Sequence, residues 1–363
     1  MFISAGFIFL EFFLSKLLRK NYYLIQDFFC NIGTSIFFVL ISLVNFSYNA
    51  FFYNLTLKHF SFLTWDSKNL AVQVLALIIW EFCYYFQHRT LHSVKFMWKG
   101  HHTHHSSQEF NLTTTFRRSS TDFIYNWIFF IPMALLGFPL LSFILAANFS
   151  VAWGFFTHTR FFPRIKFFEE IFVGPSSHRV HHGANYPYFN KNFGSVLIIW
   201  DRIFGTYQKE LSDVPVKFGV PGPINTFNPI RVNLIPYFKT LKTKTQNQNF
   251  SFYYILPQMI FLIWAIFKLR IVYMERPKEA IIGVFFFIFA LFNFGEILDG
   301  KDNIILGELI KIVLFPILIS FGFFPTLNYW ENIFVICYHS YAILVLMKWC
   351  SQRSNFFDTI FKW

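Results

Sequence analysis

Three short stretches of this chain carry the residue type best suited to gripping a metal ion. His88 and His92 form an HxxxH pair, while Gly100-His101-His102-Thr103-His104-His105 and His178-Arg179-Val180-His181-His182 each contain HxxHH. Ten of the twelve histidines lie between positions 88 and 182, with only His59 and His339 outside. On a helix, residues i, i+3 and i+4 share a face. His88 can therefore act with His92, His101 with His104 and His105, and His178 with His181 and His182. His158 ends an apolar stretch that should return to the same place, and it makes a ninth candidate. His102 is expected to be a neighbour rather than a ligand. His59 reads as a loop histidine and His339 as a core or interfacial one.

Four or five imidazoles about each ion fit two ions better than one, because a single structural zinc takes four ligands and commonly uses cysteine. Imidazole alone does not choose among iron, zinc, copper and nickel. A dinuclear histidine site beside apolar spans suits the activation of O2 against an unactivated lipid C–H bond. Two irons can store the oxidising equivalents for that, and zinc cannot. Metal-bound histidines donate their other N–H to an acceptor; Glu81, Glu109, Asn111, Asp122, Asn185 and Asp201 are the nearby candidates. Glu81 stands inside an apolar run, where an ionisable group is costly, either paired with Arg89 or in an interfacial groove. Asp201 and Arg202 read as a plain salt bridge.

The elements that must position these residues are apolar. Of 363 residues, 55% are hydrophobic and 23% aromatic, too greasy for an ordinary soluble domain. Crossing a bilayer core takes about 20 apolar residues. Apolar segments cover 3–17, 28–53 and 70–87, the last running straight into His88. Residues 54–69 read as a loop. Residues 123–157 are broken by Pro132, Gly137 and Pro139 into a hairpin that ends near His158. Four more runs follow at 252–267, 281–297, 304–322 and 329–348. Lys16, Arg19 and Lys20 follow the first run rather than precede it, the pattern of a retained anchor and not a cleaved signal. The fold class expected is all-α, a multi-pass transmembrane helical bundle with a cytoplasmic, histidine-rich diiron cap. Its expected divisions are 1–69 (N-terminal spans), 70–240 (catalytic domain) and 241–363 (C-terminal spans).

Lys and Arg number 31 against 19 Asp and Glu, a net charge of +12. No nucleic-acid-binding motif accompanies it, so anionic headgroups are the better partner. From Arg160 to Asn249, twelve basic residues face five acidic ones, which predicts a cytoplasmic segment. Three spans starting from outside bring His88 to that same face. Lys268, Arg270, Arg276 and Lys278 disagree, unless they snorkel or one run is re-entrant. Cys30, Cys83, Cys337 and Cys350 are scattered without CxxC, which predicts neither a disulfide framework nor a thiolate zinc site.

HRTLH, GHHTHHSS and SSHRVHH together resemble the three-box histidine pattern of the fatty acid hydroxylase/sterol desaturase superfamily, integral-membrane non-haem diiron oxygenases. The longer stretches GHHTHHSSQEFNLTTTFRRS, FFTHTR, PSSHRVHHGANYPYFNKNFGSVLIIWDRIFGTYQKE and PINTFNPI are similar to the alkylglycerol monooxygenase branch and its bacterial relatives, over roughly residues 70–240. The resemblance implies that His88, His92, His101, His104, His105, His158, His178, His181 and His182 bind two Fe ions. It implies O2 as co-substrate and a lipid as substrate, oxidised by hydroxylation, with ether-lipid (alkylglycerol) cleavage the most particular case. Sterol or fatty acyl hydroxylation or desaturation are the alternatives within the superfamily. The reductant it implies is tetrahydrobiopterin in that branch, or a cytochrome b5/reductase system elsewhere. His102 falls where that branch commonly has Gln, so no ligand role passes to it. Two rival classes remain from the residues alone: a metal-dependent membrane hydrolase, in which the metal activates water, and a metal transporter. Histidines gathered after spans at one face argue against a translocation path.

Overall fold

The computed structural model describes residues 2–222, 224–238, 252–301 and 304–351. Lys239, Lys242 and Lys244, counted in the basic segment, and the 240/241 division lie outside the described residues, as does Arg353. Among the described residues the chain is helical, with one isolated antiparallel bridge between Phe172 and Leu197. The chain divides into two compact units, Met1–Asn225 with Arg231–Lys242, and Thr226–Ile230 with Thr243–Trp363.

The first unit holds α1 (Phe2–Leu17), α2 (Ile25–Phe60), α3 (Leu70–Ser93), α4 (Lys95–His105), α5 (Phe123–Leu135), α6 (Leu140–Thr157), α7 (Pro175–His181) and α8 (Ile199–Ile203). Helix α9 (Pro229–Leu234) follows. The loop expected over 54–69 is shorter, because α2 continues through Asn54, Thr56 and Lys58 to Phe60. Polar residues there leave the helix ladder intact: Thr56 donates its hydroxyl to the Phe52 carbonyl within the helix, and Leu57 still packs on the core. His59 accordingly sits on the last turn of α2 rather than in a loop.

Helix α3 shows how one span serves two environments. Leu70, Val74, Ile78 and Phe82, at i+4 spacing, are exposed, while Val72, Ala76, Trp80 and Cys83 are buried. The first row suits lipid tails and the second packs on Tyr53 of α2, Phe130, Met133 and Ala134 of α5, and Ala146 of α6. Trp80 stacks between Tyr84 and Phe130, with ring centroids 5.1 and 5.4 Å away. The α5–α6 hairpin turns at Gly137, whose φ of +83° favours glycine. A Cβ there would also drive into the Leu63 carbonyl at 1.7 Å. The hairpin's free carbonyls are taken up by side chains: Tyr53 Oη donates to Phe138 O at 2.9 Å and Trp65 Nε1 to Leu136 O at 2.8 Å.

The second unit contains α10 (Phe252–Glu275), α11 (Pro277–Leu298), α12 (Ile304–Ser320) and α13 (Tyr329–Ser351). Its core stacks Phe261 on Tyr338, with Phe287, Phe315 and Phe324 alongside. Glu308 and Lys311, one turn apart on α12, form a buried ion pair of 2.7 Å. Tyr254 and Gln258 donate to Glu308 at 2.6 and 2.9 Å, and Asn293 donates as well. His339 is half-buried, stacked on Phe315 with Nδ1 donating to the Val335 carbonyl. Lys268 pairs with Glu331 rather than with the nearer-in-sequence Glu275 or Glu279.

Among the described residues, six helices are long and apolar enough to cross a membrane: Ile25–Leu43, Leu70–Ser93, Leu140–Thr157, Phe252–Glu275, Pro277–Leu298 and Tyr329–Lys348. The protein is an integral membrane protein. Phe2–Leu17 and Ile304–Ser320, both read as spans from sequence, are 16 and 17 residues long, and Phe123–Leu135 only 13. Cys30 and Cys83 are free and buried, and Cys337 is free and exposed.

Candidate metal centre

One residue, Val94, separates α3 from α4. Its extended backbone (φ −94°, ψ 114°) ends one helix and starts the next. The resulting kink turns the His101–His105 face of α4 back over His88 and His92. His158 caps the C-terminal end of α6, and α7 contributes His178 and His181, with His182 as its C-terminal cap. All nine histidines expected at the site come together, in two groups. His88, His92, His101, His105 and His181 form one; His104, His158, His178 and His182 form the other. Within each group the nitrogens that can act as ligands lie within 4.8 Å of one another. His105 and His182 stack at 4.4 Å and join the groups. His102 lies outside both, its ring edge-on to Trp98.

The hydrogen bonds fix which nitrogen faces inward. Main-chain carbonyls of Phe193, Arg117, Gly154 and Lys191 accept from Nδ1 of His88, His104, His158 and His181, at 2.8, 3.1, 2.6 and 3.0 Å. The proton of each neutral ring is thereby held on Nδ1, which leaves Nε2 with a lone pair. His104 and His158 then face each other at 3.4 Å, Nε2 to Nε2, with no proton between them. His88 Nε2 lies 3.0 Å from His101 Nε2, which is 3.2 Å from that of His105, and His178 Nε2 is 3.0 Å from that of His158. Nε2 of His92, His181 and His182 is buried with no protein partner. Opposed lone pairs repel, and protonation is a poor remedy here. Burial, reinforced by the neighbouring imidazoles, holds His101, His104, His105, His178, His181 and His182 well below the usual imidazole range. Burial brings His158 down to about 4. A metal ion relieves both problems. Bonds of about 2.0–2.1 Å from imidazole nitrogen to one centre put neighbouring nitrogens roughly 3.0–3.4 Å apart. The residues present fit two ions.

For these four histidines the acceptors are main-chain carbonyls, while His92 is hydrogen-bonded to the side chain of Asn190, an amide that was not among the expected candidates. Every residue has a carbonyl, and no sequence signal marks the ones used. Of the six acidic and amide candidates, Glu81 and Asp201 hold the backbone around Phe193, and the other four serve other parts of the scaffold. Glu81, buried, accepts from the N–H groups of Val196 and Leu197 at 2.8 and 3.1 Å, not from Arg89. Asp201 accepts from Phe193 N, Gly194 N and Thr206 Oγ1 at 2.7, 2.8 and 2.6 Å, and so fixes the carbonyl that orients His88. Arg202, expected as its salt-bridge partner, pairs with Glu170. Glu109 pairs with Arg160, Asn111 caps the turn Leu112–Phe116, Asp122 accepts from Ser119 and Tyr125, and Asn185 ties down Lys217.

Two residues that sequence reasoning did not single out are central to this scaffold. Arg117, buried, donates to Asp27 and Asn31 of α2 at 2.9 Å each, and to Thr103 O and Ser106 Oγ at the end of α4 at 3.1 and 2.9 Å. Its own carbonyl orients His104. Glu169 accepts from Ser176 Oγ and Ser177 N at 2.5 and 3.1 Å, at the start of α7.

Cavities flank the cluster on two sides. One, of about 310 Å³, is lined by His88, His101, His104, His158 and His178 and reaches between α3, α5 and α6. The other, of about 190 Å³, is lined by His92, His105, His181 and His182 with the loop residues Phe189, Asn190 and Val220. The nine rings thus wall off a compartment among the spans from one beneath the loops.

Residues 73–206 match the family model described as fatty acid hydroxylase. Alkylglycerol monooxygenase of Homo sapiens is 41% identical over 180 residues, which cover 50% of this chain and 38% of the relative. The same enzyme of Xenopus tropicalis is 42% identical over 154 residues, 42% of this chain and 34% of the relative. Ornithine lipid hydroxylase OlsE of Rhizobium tropici is 32% identical over 161 residues, 44% of this chain and 49% of the relative. The chain spans between about a third and a half of the length of these curated relatives. No solved structure matches it. The segment similar to the fatty acid hydroxylase model, residues 73–206, carries all nine clustered histidines.

Proposed function

We propose that the protein is an integral-membrane non-haem diiron oxygenase that uses O2 to hydroxylate a C–H bond of a lipid. The observation that carries this is the pair of histidine groups, five and four rings, each ring bringing one ring nitrogen within 4.8 Å of the others in its group. All nine histidines are the iron ligands, and the catalytic domain is the 70–240 segment. Two bound irons would supply the reduction of O2 and the oxidation of the C–H bond. The chain's own contribution is to hold nine imidazoles neutral, aim them through main-chain carbonyls, and keep water from the reacting carbon. The cavity among the spans receives the lipid, with Trp80, Phe130 and Phe143 as apolar walls. The cavity beneath the loops is the approach for the reductant, a small pterin or an electron-donor protein. Excess basic charge between Arg160 and Asn249 supports a cytoplasmic position for the site.

Ether-lipid cleavage is the most particular substrate reading, supported by 41% and 42% identity to alkylglycerol monooxygenases. Acyl-chain hydroxylation is the second, supported by the likeness to ornithine lipid hydroxylase. Lipid analysis of cells grown under 18O2, with and without the intact protein, tests both. Loss of ether lipids with labelled aldehyde supports the first, and labelled hydroxyacyl lipids the second. Turnover that survives strict anaerobiosis would replace the oxygenase reading with a hydrolase.

A further inference from the structure

The cavity among the spans has a polar end that the oxidation chemistry does not require. Arg117 and Arg118 both line it. Arg117 is paired with Asp27, and its Nε and Nη1 also donate to Thr103 O, Ser106 Oγ and Asn31 Oδ1. Arg118 is half-buried, and its only described contact is with the Phe38 ring, 5.0 Å from the guanidinium carbon. Among the described residues no acceptor meets its five N–H donors. Asp122 is the nearest acid on the lining, but its Oδ1 is occupied by Ser119 and Tyr125, each at 2.8 Å, and it forms no ion pair with Arg118. Burial raises the pKa of Asp122, and the Arg118 charge acts on it only at longer range, without an ion pair. Three further buried polar atoms on the same lining have no partner: Trp80 Nε1, Asn126 Oδ1 and Thr115 Oγ1. Leaving such groups unsatisfied is costly, and more so for a charge. The remaining wall, with Phe130, Phe143 and Ala147, is apolar. A guanidinium with a free fork matches the two oxygens of a carboxylate or phosphate, and the apolar wall matches a hydrocarbon chain.

We propose that Arg118 anchors the oxyanion of an acidic lipid, a carboxylate or phosphate on an alkyl chain, and so selects acidic over neutral amphiphiles. The proposal rests on the oxygenase reading, because it takes the cavity beside the histidines to be the substrate's. Arg118 is a specificity-determining residue: it holds the head while the chain lies against Trp80 and Phe143. His104, His158 and His178 line the same cavity as Arg118, so the bound head lies beside the four-histidine group.

The test uses the full-length, iron-loaded protein in phosphatidylcholine nanodiscs. Equilibrium binding is compared for hexadecyl phosphate and for neutral 1-O-hexadecylglycerol. The expected preference for the phosphate is roughly ten- to hundred-fold, the range for hydrogen bonds to a charged group. Arg118→Gln should erase that preference and Arg118→Lys should keep part of it. Inorganic phosphate should not displace hexadecyl phosphate at equal concentration; if it does, the site takes a free anion and the lipid assignment is wrong. Equal binding of the two lipids by the unaltered protein overturns the proposal without any variant. So does an unchanged preference in Arg118→Gln that still carries its iron. Either result leaves 18O incorporation into lipid intact if the oxygenase reading holds. Absent 18O incorporation with a normal phosphate preference would remove that reading instead.

Discussion

His104 and His158 each give the Nδ1 proton to a carbonyl and present lone pairs to one another across 3.4 Å. That arrangement is stable only with a cation between the rings, and it makes ligand roles separable one residue at a time. His181→Ala removes one of the five-histidine group, and bound iron should fall from about two ions per chain to about one. His102→Ala should leave iron at its full level, because that ring lies outside both groups. Elemental analysis of the purified variants checks both, and unchanged iron in His181→Ala would strike it from the ligand set. Acid should act through the same rings. Their folded-state pKa values lie below the imidazole value of 6.5. Below pH 6.5 the unfolded chain therefore binds more protons than the folded one, and stability falls with pH. Above it this contribution is flat. Metal-free protein should lose thermal stability steadily from pH 6.5 toward 4, and loaded protein should release iron across the same window, since protons compete for the ligand nitrogens.

At the scale of elements, α7 is seven residues long and carries three of the nine histidines at its end. A helix that short does not hold itself together; Glu169 holds it, by accepting from Ser176 and Ser177 in its first turn. Glu169→Ala should cost about 1–2 kcal/mol, as loss of a helix cap does. It should weaken iron binding roughly 10- to 100-fold by loosening His178, His181 and His182. A melting curve together with chelator competition reads the two effects; a full stability loss with unaltered chelator competition would show that α7 is positioned by other contacts.

For the molecule as a whole, the apolar exterior of the spans is matched by polar clusters sealed inside each unit. In the second unit, Glu308 and Lys311 are both buried and paired. Lys311→Met strands the carboxylate, and breaking a buried pair in this way costs about 3–5 kcal/mol. Lys311→Met combined with Glu308→Gln removes both charges and keeps an amide for Tyr254 and Gln258, so it should recover most of that loss. Thermal unfolding in detergent compares the three proteins. Equal melting of the single variant and the parent would mean the pair adds nothing to this unit.

The sequence by itself determined which histidines share a helix face, because 3.6 residues per turn relates His88 to His92, His101 to His105 and His178 to His182 wherever those helices lie. It also determined the apolar spans and the hairpin break at Gly137 and Pro139, since both follow from side-chain chemistry and local backbone sterics. Only the tertiary structure decided that His181 joins the α3 and α4 histidines while His178 and His182 join His104 and His158. That partition depends on the kink at Val94 and on loops whose geometry no short-range rule sets. The same holds for the carbonyls of Phe193, Arg117, Gly154 and Lys191. A main-chain oxygen becomes a histidine's partner through where the fold carries it, and its side chain leaves no mark of that in the sequence.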